Sequence, residues 1–458
     1  MLRWHVKIWR RYEPISVVER KQSRPPRGKA DPVTKFLSNS VHRHSTIGSF
    51  LSFWSFMSTW RSLKHRSFAL LWSGQTLSRL GDYVYEIALS WWILEKTGSA
   101  ELMGLMWVFV ITPSVLLLLI GGAVVDRFPR VQLMLISDVG RALIVLFVAF
   151  LAYLDQLQIW HIYAASFFFG MVDAFFTPAY NAIIPQIVPE QDLPSANALT
   201  SISANLGRII GPSLGAGIVA WLGTSSAFMI NGASFLVSTS FLIPLIFASI
   251  PRPEPSQNHI LADVRAGLAF VAATPWLWIS ILIFSLINVT LIGPYVVAMP
   301  FLVSDFMKQD VQRLGLILSI FPVGYVIGSL WLGRYHKLPR RGILMNLTLA
   351  LAAIMLGLYG LHLPLWILII AAVINGIALQ GGALAWTHLL QEKVPNEQLG
   401  RVFSIDQLGS TGLMPIGMFV AGWATGLVGP SPVFLIGGAL TALAGFLAIL
   451  HPAIRELD

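Results

Sequence analysis

Long apolar runs separated by short polar links make up most of the chain. Each run holds about 20 residues, which is enough for a helix to cross a hydrocarbon core of about 30 Å. One or two such runs fit inside a soluble core, but a dozen do not, so the pattern predicts an all-α polytopic membrane protein. We predict twelve transmembrane helices, near residues 68–94, 101–125, 131–153, 158–182, 196–222, 225–249, 276–303, 312–333, 342–362, 364–389, 401–427 and 431–451.

Positive charge is concentrated before the first predicted helix. The net charge is +9, and residues 1–66 hold fourteen Lys and Arg against three acids, so the rest of the chain is close to neutral. After this tail, eleven Lys and Arg fall in links on the side of the N-terminus and three on the opposite side. The positive-inside rule therefore predicts that both termini are in the cytoplasm. We expect the chain to lie in the plasma (inner) membrane. The nearly neutral body gives no reason to expect a nucleic-acid partner.

The links also divide the chain into two six-helix halves. An offset of 206 residues pairs Gly211 with Gly417 and Asp82 with Asn288, which predicts two pseudo-symmetric structural repeats. Prolines and polar residues mark the connection between them. Four regions are predicted: a basic N-terminal tail over 1–66, a first half over 67–249, a cytoplasmic linker over 250–275 and a second half over 276–458.

Two interpretations of the tail stay open. Residues 1–56 are basic and then aromatic, and they lack the clean apolar core of a secretory signal. One interpretation places this segment on anionic lipid. The other places the natural start at Met57, which opens a short lead into the first helix.

Composition excludes several classes of protein and site. The chain has no cysteine, which excludes disulfides and thiolate metal sites. It has no GxxxxGK[ST] sequence, so no P-loop for ATP is recognisable. His161, His362 and His388 are scattered singly, and no nucleophile with a matching base stands out. We therefore expect no enzyme activity, no cofactor and no metal site.

The link between the second and third helices reads "GGAVVDRFPRV". It resembles the loop signature of the major facilitator superfamily, G-x-L-A-D-R-x-G-R-[RK], although Pro129 replaces a glycine. The resemblance implies that this loop latches the two halves together on the cytoplasmic side in the outward-open state. The residues that match the signature are Gly122, Asp126, Arg127 and Arg130.

The fifth helix carries a second signature, "GRIIGPSLGAG". It resembles the antiporter motif G-x-x-x-G-P-x-x-G-G of facilitator-type exporters, with Ala216 in place of the last glycine. Close packing through a stripe of small residues is an equally good explanation. The motif residues are Gly207, Arg208, Gly211, Pro212 and Gly215.

Residues 60–450 as a whole resemble the branch of the superfamily that holds macrolide-efflux proteins and enterobactin-type siderophore exporters. The resemblance implies a monomeric secondary active transporter that exports small amphipathic organic compounds by alternating access, with the proton gradient as its energy source. A facilitator or an importer of the same fold is the alternative, and a non-transport membrane protein is a more distant one.

Ionisable residues inside a membrane are expensive and are candidates for function by default. Asp173 is deep in the fourth helix with no cation in that helix, so we rank it first as proton carrier, before Asp82 and Glu86. Asp82 has Arg79 one turn away, so a structural ion pair is the alternative there. Asp138 and Arg141 are spaced to pair structurally. Neutral polar and aromatic residues expected in a substrate cavity are Asn288, Tyr295, Tyr325 and Gln380.

Overall fold

A computed structural model describes residues 60–125, 127–248, 260–334 and 340–457, and this part of the chain contains helices and no strands. Its long helices are named α1 to α12. Their bounds are α1 Arg66–Thr97, α2 Ala100–Val125, α3 Arg130–Tyr153, α4 Ile159–Ile187, α5 193–222, α6 224–246, α7 Pro275–Phe306, α8 Val311–Leu332, α9 Arg341–Gly360, α10 Leu365–Lys393, α11 Asn396–Gly412 continued by Met414–Val428, and α12 Pro430–Leu450.

The predicted helices lie close to those observed, with every predicted boundary within five residues. Within the described residues, ten helical segments are long and apolar enough to cross a membrane. Helix α1 adds 32 residues that carry several charges, and Gly223 divides the longest segment into α5 and α6. The described chain thus contains twelve long helical segments, although the number that cross a membrane stays a prediction.

Two glycines at equivalent positions show the internal repeat. Gly223 breaks the helix between α5 and α6 with φ 81° and ψ 166°, and Gly429 separates α11 from α12 with φ 81° and ψ 168°. A positive φ of this kind is strained for residues with a Cβ atom. The two glycines are 206 residues apart, which is the offset found in the sequence.

Helix contacts repeat at the same offset. A Cβ atom added to Gly211 of α5 would lie 2.9 Å from Cγ of Tyr83 in α1. A Cβ atom added to Gly417 of α11 would lie 2.8 Å from Cα of Val289 in α7. Each half therefore packs its first helix against its fifth through a glycine. This confirms the pairing of Gly211 with Gly417 predicted from the sequence.

Helices α1 and α7 differ despite their equivalent places in the two halves. Helix α1 is a regular α-helix, whereas α7 winds into π-helix at Asn288–Ile292, Pro294–Ala298 and Leu302–Phe306. Pro300 lies between the last two of these stretches, and a proline cannot donate a backbone hydrogen bond. Irregular winding of this kind is common where helices line functional sites.

The two halves meet near one end of the helix bundle. We call the end where α1 begins the entry end, and the end where α1 finishes the far end. Ser213 Oγ in α5 lies 2.7 Å from Ser319 Oγ in α8. Cβ atoms added to Gly104 of α2 and Gly422 of α11 would lie 3.1 and 3.0 Å from the Cα of the other glycine. All of these residues are in the far-end parts of their helices.

A short element precedes the first helix of each half at the entry end and packs against the fifth helix of that half. The turn Arg61–Lys64 precedes α1, and the amide of Ser62 donates to Ser195 Oγ in α5 at 3.0 Å. In the second half, the predicted linker contains a helix, Ile260–Ala273, which packs Gly267 against Arg401 of α11. Residues 1–59 and the first part of the linker lie outside the described residues.

Candidate functional site

A central cavity of about 230 Å³ lies between the two halves. Its walls are mostly apolar, with aromatic residues and prolines making up half of them, and they include one acid, Glu86, and one cation, Arg208. Both halves contribute to it. Its walls include Tyr83, Glu86, Trp107, Arg208, Tyr295 and Phe321.

The structure brings one of the four predicted substrate residues, Tyr295, to the wall of this cavity. Asn288 instead ties α7 to α11, because its side-chain amide donates to the carbonyls of Phe284 and Ser410 at 3.0 and 2.8 Å. Gln380 is buried against Gly328 of α8. Tyr325 is half-buried in α8 and is not among the residues that line the cavity.

The antiporter-like motif of α5 contributes both to helix packing and to the wall of the central cavity. Its glycines make helix contacts, since a Cβ atom at Gly207 would meet the ring of Tyr83 and one at Gly215 would lie 2.9 Å from Cα of Val84. Arg208 and Pro212 of the same motif line the central cavity. The glycine stripe is therefore structural, and the residues between the glycines reach the cavity.

A second cavity, of about 210 Å³, lies among α1, α2 and α4 of the first half. We call it the side cavity. All three predicted proton carriers, Asp82, Glu86 and Asp173, line it. Glu86 and Trp107 belong to the walls of both cavities, so the two spaces adjoin. The structure therefore gathers these three acids at one site.

Three buried polar atoms on the wall of the side cavity have no hydrogen-bond partner. They are the carboxylate Oδ1 of Asp82, the indole Nε1 of Trp107 and the hydroxyl of Ser166. Buried polar side chains in folded proteins are usually paired, and each exception calls for an explanation. Trp107 and Ser166 were not predicted from the sequence, because an isolated indole or hydroxyl in an apolar run carries no pattern.

Arg141 of α3 connects the side cavity to a buried network. Its guanidinium pairs with Asp138, as the spacing predicted, and Nη1 also lies 3.1 Å from Oδ1 of Asp173 in α4. Asp138 is fully buried and also accepts from Ser238 Oγ at 2.6 Å and from Gln75 Nε2 at 3.3 Å. The rings of Phe176 and Phe235 cover the guanidinium.

This contact corrects the reason for ranking Asp173 first as proton carrier. No cation lies in its own helix, but Arg141 reaches it from α3, and the Asp173 side chain is 39% exposed. Asp82 differs because one of its oxygens is buried without a partner. Arg79, considered as the ion-pair partner of Asp82, places its guanidinium 4.9 Å from the ring centroid of Tyr180.

The loop signature is described in part. Asp126 lies outside the described residues, and Gly122 is within α2. Arg130 Nη1 donates to the carbonyl of Ala182 in α4 at 2.6 Å, which ties the loop to its own half. The amide of Arg127 donates to the carbonyl of Val124 at 3.0 Å. A latch from this loop to the second half therefore stays a prediction.

A cluster of basic side chains around one acid at the entry end, which we call the ionic clasp, was not predicted from the sequence. Asp192, just before α5, is inaccessible to solvent and meets three basic side chains from the segment before α1. The distances to its carboxylate are 3.1 Å from Arg61, 2.9 Å from Lys64 and 2.8 Å from His65. This clasp fixes the beginning of α1 to the beginning of α5.

The chain matches a protein family and individual efflux proteins over most of its length. Residues 57–458 match the family model described as transmembrane secretion effector. The chain is 24% identical over 404 residues to macrolide efflux protein A of Streptococcus pyogenes, a match that covers 85% of this chain and 97% of that protein. It is 27% identical over 390 residues to the multidrug efflux pump Tap of Mycolicibacterium fortuitum, covering 82% and 94% of the two chains.

Solved structures share the fold at low sequence identity. The nucleoside transporter NupG superposes with a TM-score of 0.67 at 14% identity, over 86% of this chain and 100% of that chain. A bacterial homologue of the iron transporter ferroportin in an inward-facing state gives 0.65 at 18% identity, over 84% and 98%. These likenesses establish the arrangement of helices and nothing about ligands.

Proposed function

Because the chain belongs to the transmembrane secretion effector family of the major facilitator superfamily, we propose that it is a proton-coupled exporter of amphipathic organic compounds. It is a membrane efflux transporter of the major facilitator superfamily. The proposal covers the substrate class, the energy source and the alternating-access cycle. The named relatives act on macrolides or on several drugs, and we carry that class to this chain as part of the proposal.

The walls of the central cavity support an amphipathic substrate. Aromatic rings and prolines from both halves provide apolar contact, while Glu86 and Arg208 provide one acid and one cation. Binding pockets for small molecules commonly combine an apolar lining with a few polar groups. A bulky organic compound with one or two polar groups fits these walls.

The contacts between the halves support alternating access. In the described part of the chain, the contacts of α2 with α11 and of α5 with α8 lie at the far end, which the positive-inside rule places outside the cell. With the halves joined there, the cavity would receive substrate from the cytoplasm. Export then requires the contacts of Gly104 with Gly422 and of Ser213 with Ser319 to separate while the entry end closes. The loop from Gly122 to Arg130 is the proposed latch for that closed entry end.

The acids of the side cavity support proton coupling. Asp82, Glu86 and Asp173 lie beside the substrate cavity, so a change in their protonation can alter the charge that the substrate meets. We now place Asp82 first as carrier, because Asp173 already pairs with Arg141. The observation that carries the proposed function is this adjacency of an amphipathic cavity and three membrane-embedded carboxyl groups.

Transport into inside-out vesicles tests the proposal. Export from the cell corresponds to uptake into such vesicles, and an inside-acid gradient should drive accumulation of the macrolide erythromycin against its own gradient. Asp82→Asn should abolish this accumulation, and Asp406→Asn in the second half should retain it. Equilibration without accumulation would indicate a facilitator, and gradient-driven loss from the vesicles would indicate an importer.

A further inference from the structure

We propose that the side cavity is a binding subsite for a protonated organic amine that carries a neighbouring oxygen, such as an amino alcohol. The proposal deepens the proposed function, on which it rests, by assigning a chemical group of the substrate to a place in the first half. It concerns Asp82, Trp107, Ser166 and Asp173, and it treats them as ligand-binding residues.

The charge of the side cavity points to a cation. Three carboxyl groups line it, and Arg141, whose guanidinium contacts Asp173, is shared with the buried Asp138. The unpartnered Oδ1 of Asp82 is an acceptor with no donor, and a ligand N–H would satisfy it. Hydrogen bonds between charged groups are among the stronger ones in proteins.

The spacing of the acids points to an organic cation and not to a metal ion. The described residues contain no group of three or more His, Cys, Asp or Glu that could hold a metal. The carboxyl groups instead surround a space of about 210 Å³ on the walls of α1 and α4. A space of this size accommodates an ammonium group together with several carbon atoms.

Aromatic rings complete the wall for such a group. Tyr85 and Phe169 both line the side cavity, and their rings stack with centroids 6.2 Å apart. Aromatic faces attract organic cations, and the Arg141 guanidinium already lies 6.0 Å from the centroid of Phe169. The substrate ammonium would therefore find both carboxylates and rings.

Two unpartnered donors call for an oxygen atom on the same ligand. Ser166 is 2% exposed, its hydroxyl has no partner, and it lies on the wall of the side cavity. Trp107 Nε1 is a donor only, so an ammonium cannot satisfy it, but a hydroxyl, ether or carbonyl oxygen can. Because Trp107 and Glu86 also face the central cavity, the rest of the ligand can extend into that space.

Binding to the purified full chain in detergent tests this inference with three matched probes. Naphthyloxy-propanolamine carries the amine and the hydroxyl, naphthyloxy-propylamine lacks the hydroxyl, and naphthyloxy-propanediol lacks the amine. Calorimetry should give the propanolamine a Kd about tenfold below that of the diol, a difference of about 1.4 kcal/mol. The propylamine should fall between them.

The variants locate the binding. Asp82→Asn should remove the preference for amines. Ser166→Ala and Trp107→Phe should each bring the Kd values of the propanolamine and the propylamine to within about twofold, because each removes a hydrogen-bond donor for the ligand hydroxyl. The control is Asp406, whose carboxylate accepts a hydrogen bond from Trp386 Nε1 in the other half. Asp406→Asn should keep the preference for the amine and the preference for the hydroxyl. If Asp82→Asn does not fold, the Kd values measured for Ser166→Ala and Trp107→Phe test the inference instead.

Three results would overturn the inference. The first is equal affinity of the wild-type chain for amine and diol, and the second is an unchanged hydroxyl preference in both Ser166→Ala and Trp107→Phe. The third is competition of NaCl, but not KCl, with the propanolamine, which would make the cavity an inorganic cation site. Binding is measured without a proton gradient, so amine binding without transport would contradict only the proposed function. Gradient-driven export of erythromycin without amine preference would contradict only the subsite.

Discussion

Arg141 is the residue at which the buried charges of the first half converge. It pairs with Asp138, contacts Asp173 and is covered by Phe176 and Phe235. Removing one member of a buried ion pair leaves the other uncompensated, which commonly costs about 3–5 kcal/mol. The network therefore makes Arg141 a structural residue that also sets the charge beside the side cavity.

Arg141→Gln should destabilise the protein severely. The change leaves the fully buried Asp138 with Gln75 and Ser238 as partners and with no cation. We expect a loss of about 3–5 kcal/mol, seen as a lower melting temperature in detergent and a smaller monodisperse peak in size-exclusion chromatography. An unchanged melting temperature would show that the two hydrogen bonds suffice for Asp138.

Lys96→Gln provides the matched control for this prediction. Lys96 Nζ lies 2.7 Å from Asp155 Oδ1, in a pair exposed to solvent, and exposed pairs contribute little to stability. The hydrogen bond and charge of Lys96 hold the pKa of Asp155 below its ordinary value. Such a contribution is present above the ordinary pKa and disappears as the pH falls through the lowered one. At neutral pH we expect no measurable change in the melting temperature of Lys96→Gln.

At the scale of helices, glycines set how closely α1 and α5 approach. Gly211→Val should disrupt that contact because its Cβ atom would enter the space of the Tyr83 side chain. Overpacking of this kind costs about 1–3 kcal/mol. Gly417→Val at the equivalent place in the second half should behave in the same way, since its Cβ atom would meet Val289. Melting temperature and reconstituted transport are the measurements.

Gly217→Val on the same helix distinguishes packing from helix propensity. A Cβ atom at Gly217 has nothing within 4 Å, so the substitution introduces the same side chain without the collision. We expect a stability within about 0.5 kcal/mol of the parent chain. Equal losses in Gly211→Val and Gly217→Val would attribute the effect to valine in a helix and would remove the packing explanation.

Helices could be predicted from this sequence far better than the contacts between their polar residues. The length of an apolar run is enough to place a helix, so the predicted helix boundaries lie within five residues of the observed ones. The partner of Asp173 could not be found in the same way, because Arg141 is 32 positions away and meets it only after α3 and α4 pack. Likewise, the sequence predicted that Asn288 contacts substrate, but its side-chain amide donates hydrogen bonds to backbone carbonyls of two helices.

For the whole molecule, the decisive feature is that the halves are joined at the far end. Helix α5 meets α8 there, and α2 meets α11, through small residues that allow close approach. Ser213 uses both its amide and its hydroxyl toward Ser319, at 3.1 and 2.7 Å from Ser319 Oγ. A transporter that works by alternating access must break these contacts once in each cycle. A covalent bond at this place should therefore stop transport without unfolding the protein.

The double substitution Ser213→Cys and Ser319→Cys introduces that bond. The chain has no cysteine of its own, so the two new thiols are the only pair present, and hydroxyl oxygens 2.7 Å apart place them within reach of a disulfide. Oxidation should reduce export of erythromycin at least tenfold, and dithiothreitol should restore it, while each single variant should stay active in both conditions. Full transport by the oxidised double variant, with the disulfide verified by mass spectrometry, would mean that α5 and α8 do not separate at their far ends. In that case the two halves would have to separate between α2 and α11 alone. A cysteine pair at Gly104 and Gly422 would test that separation in the same way.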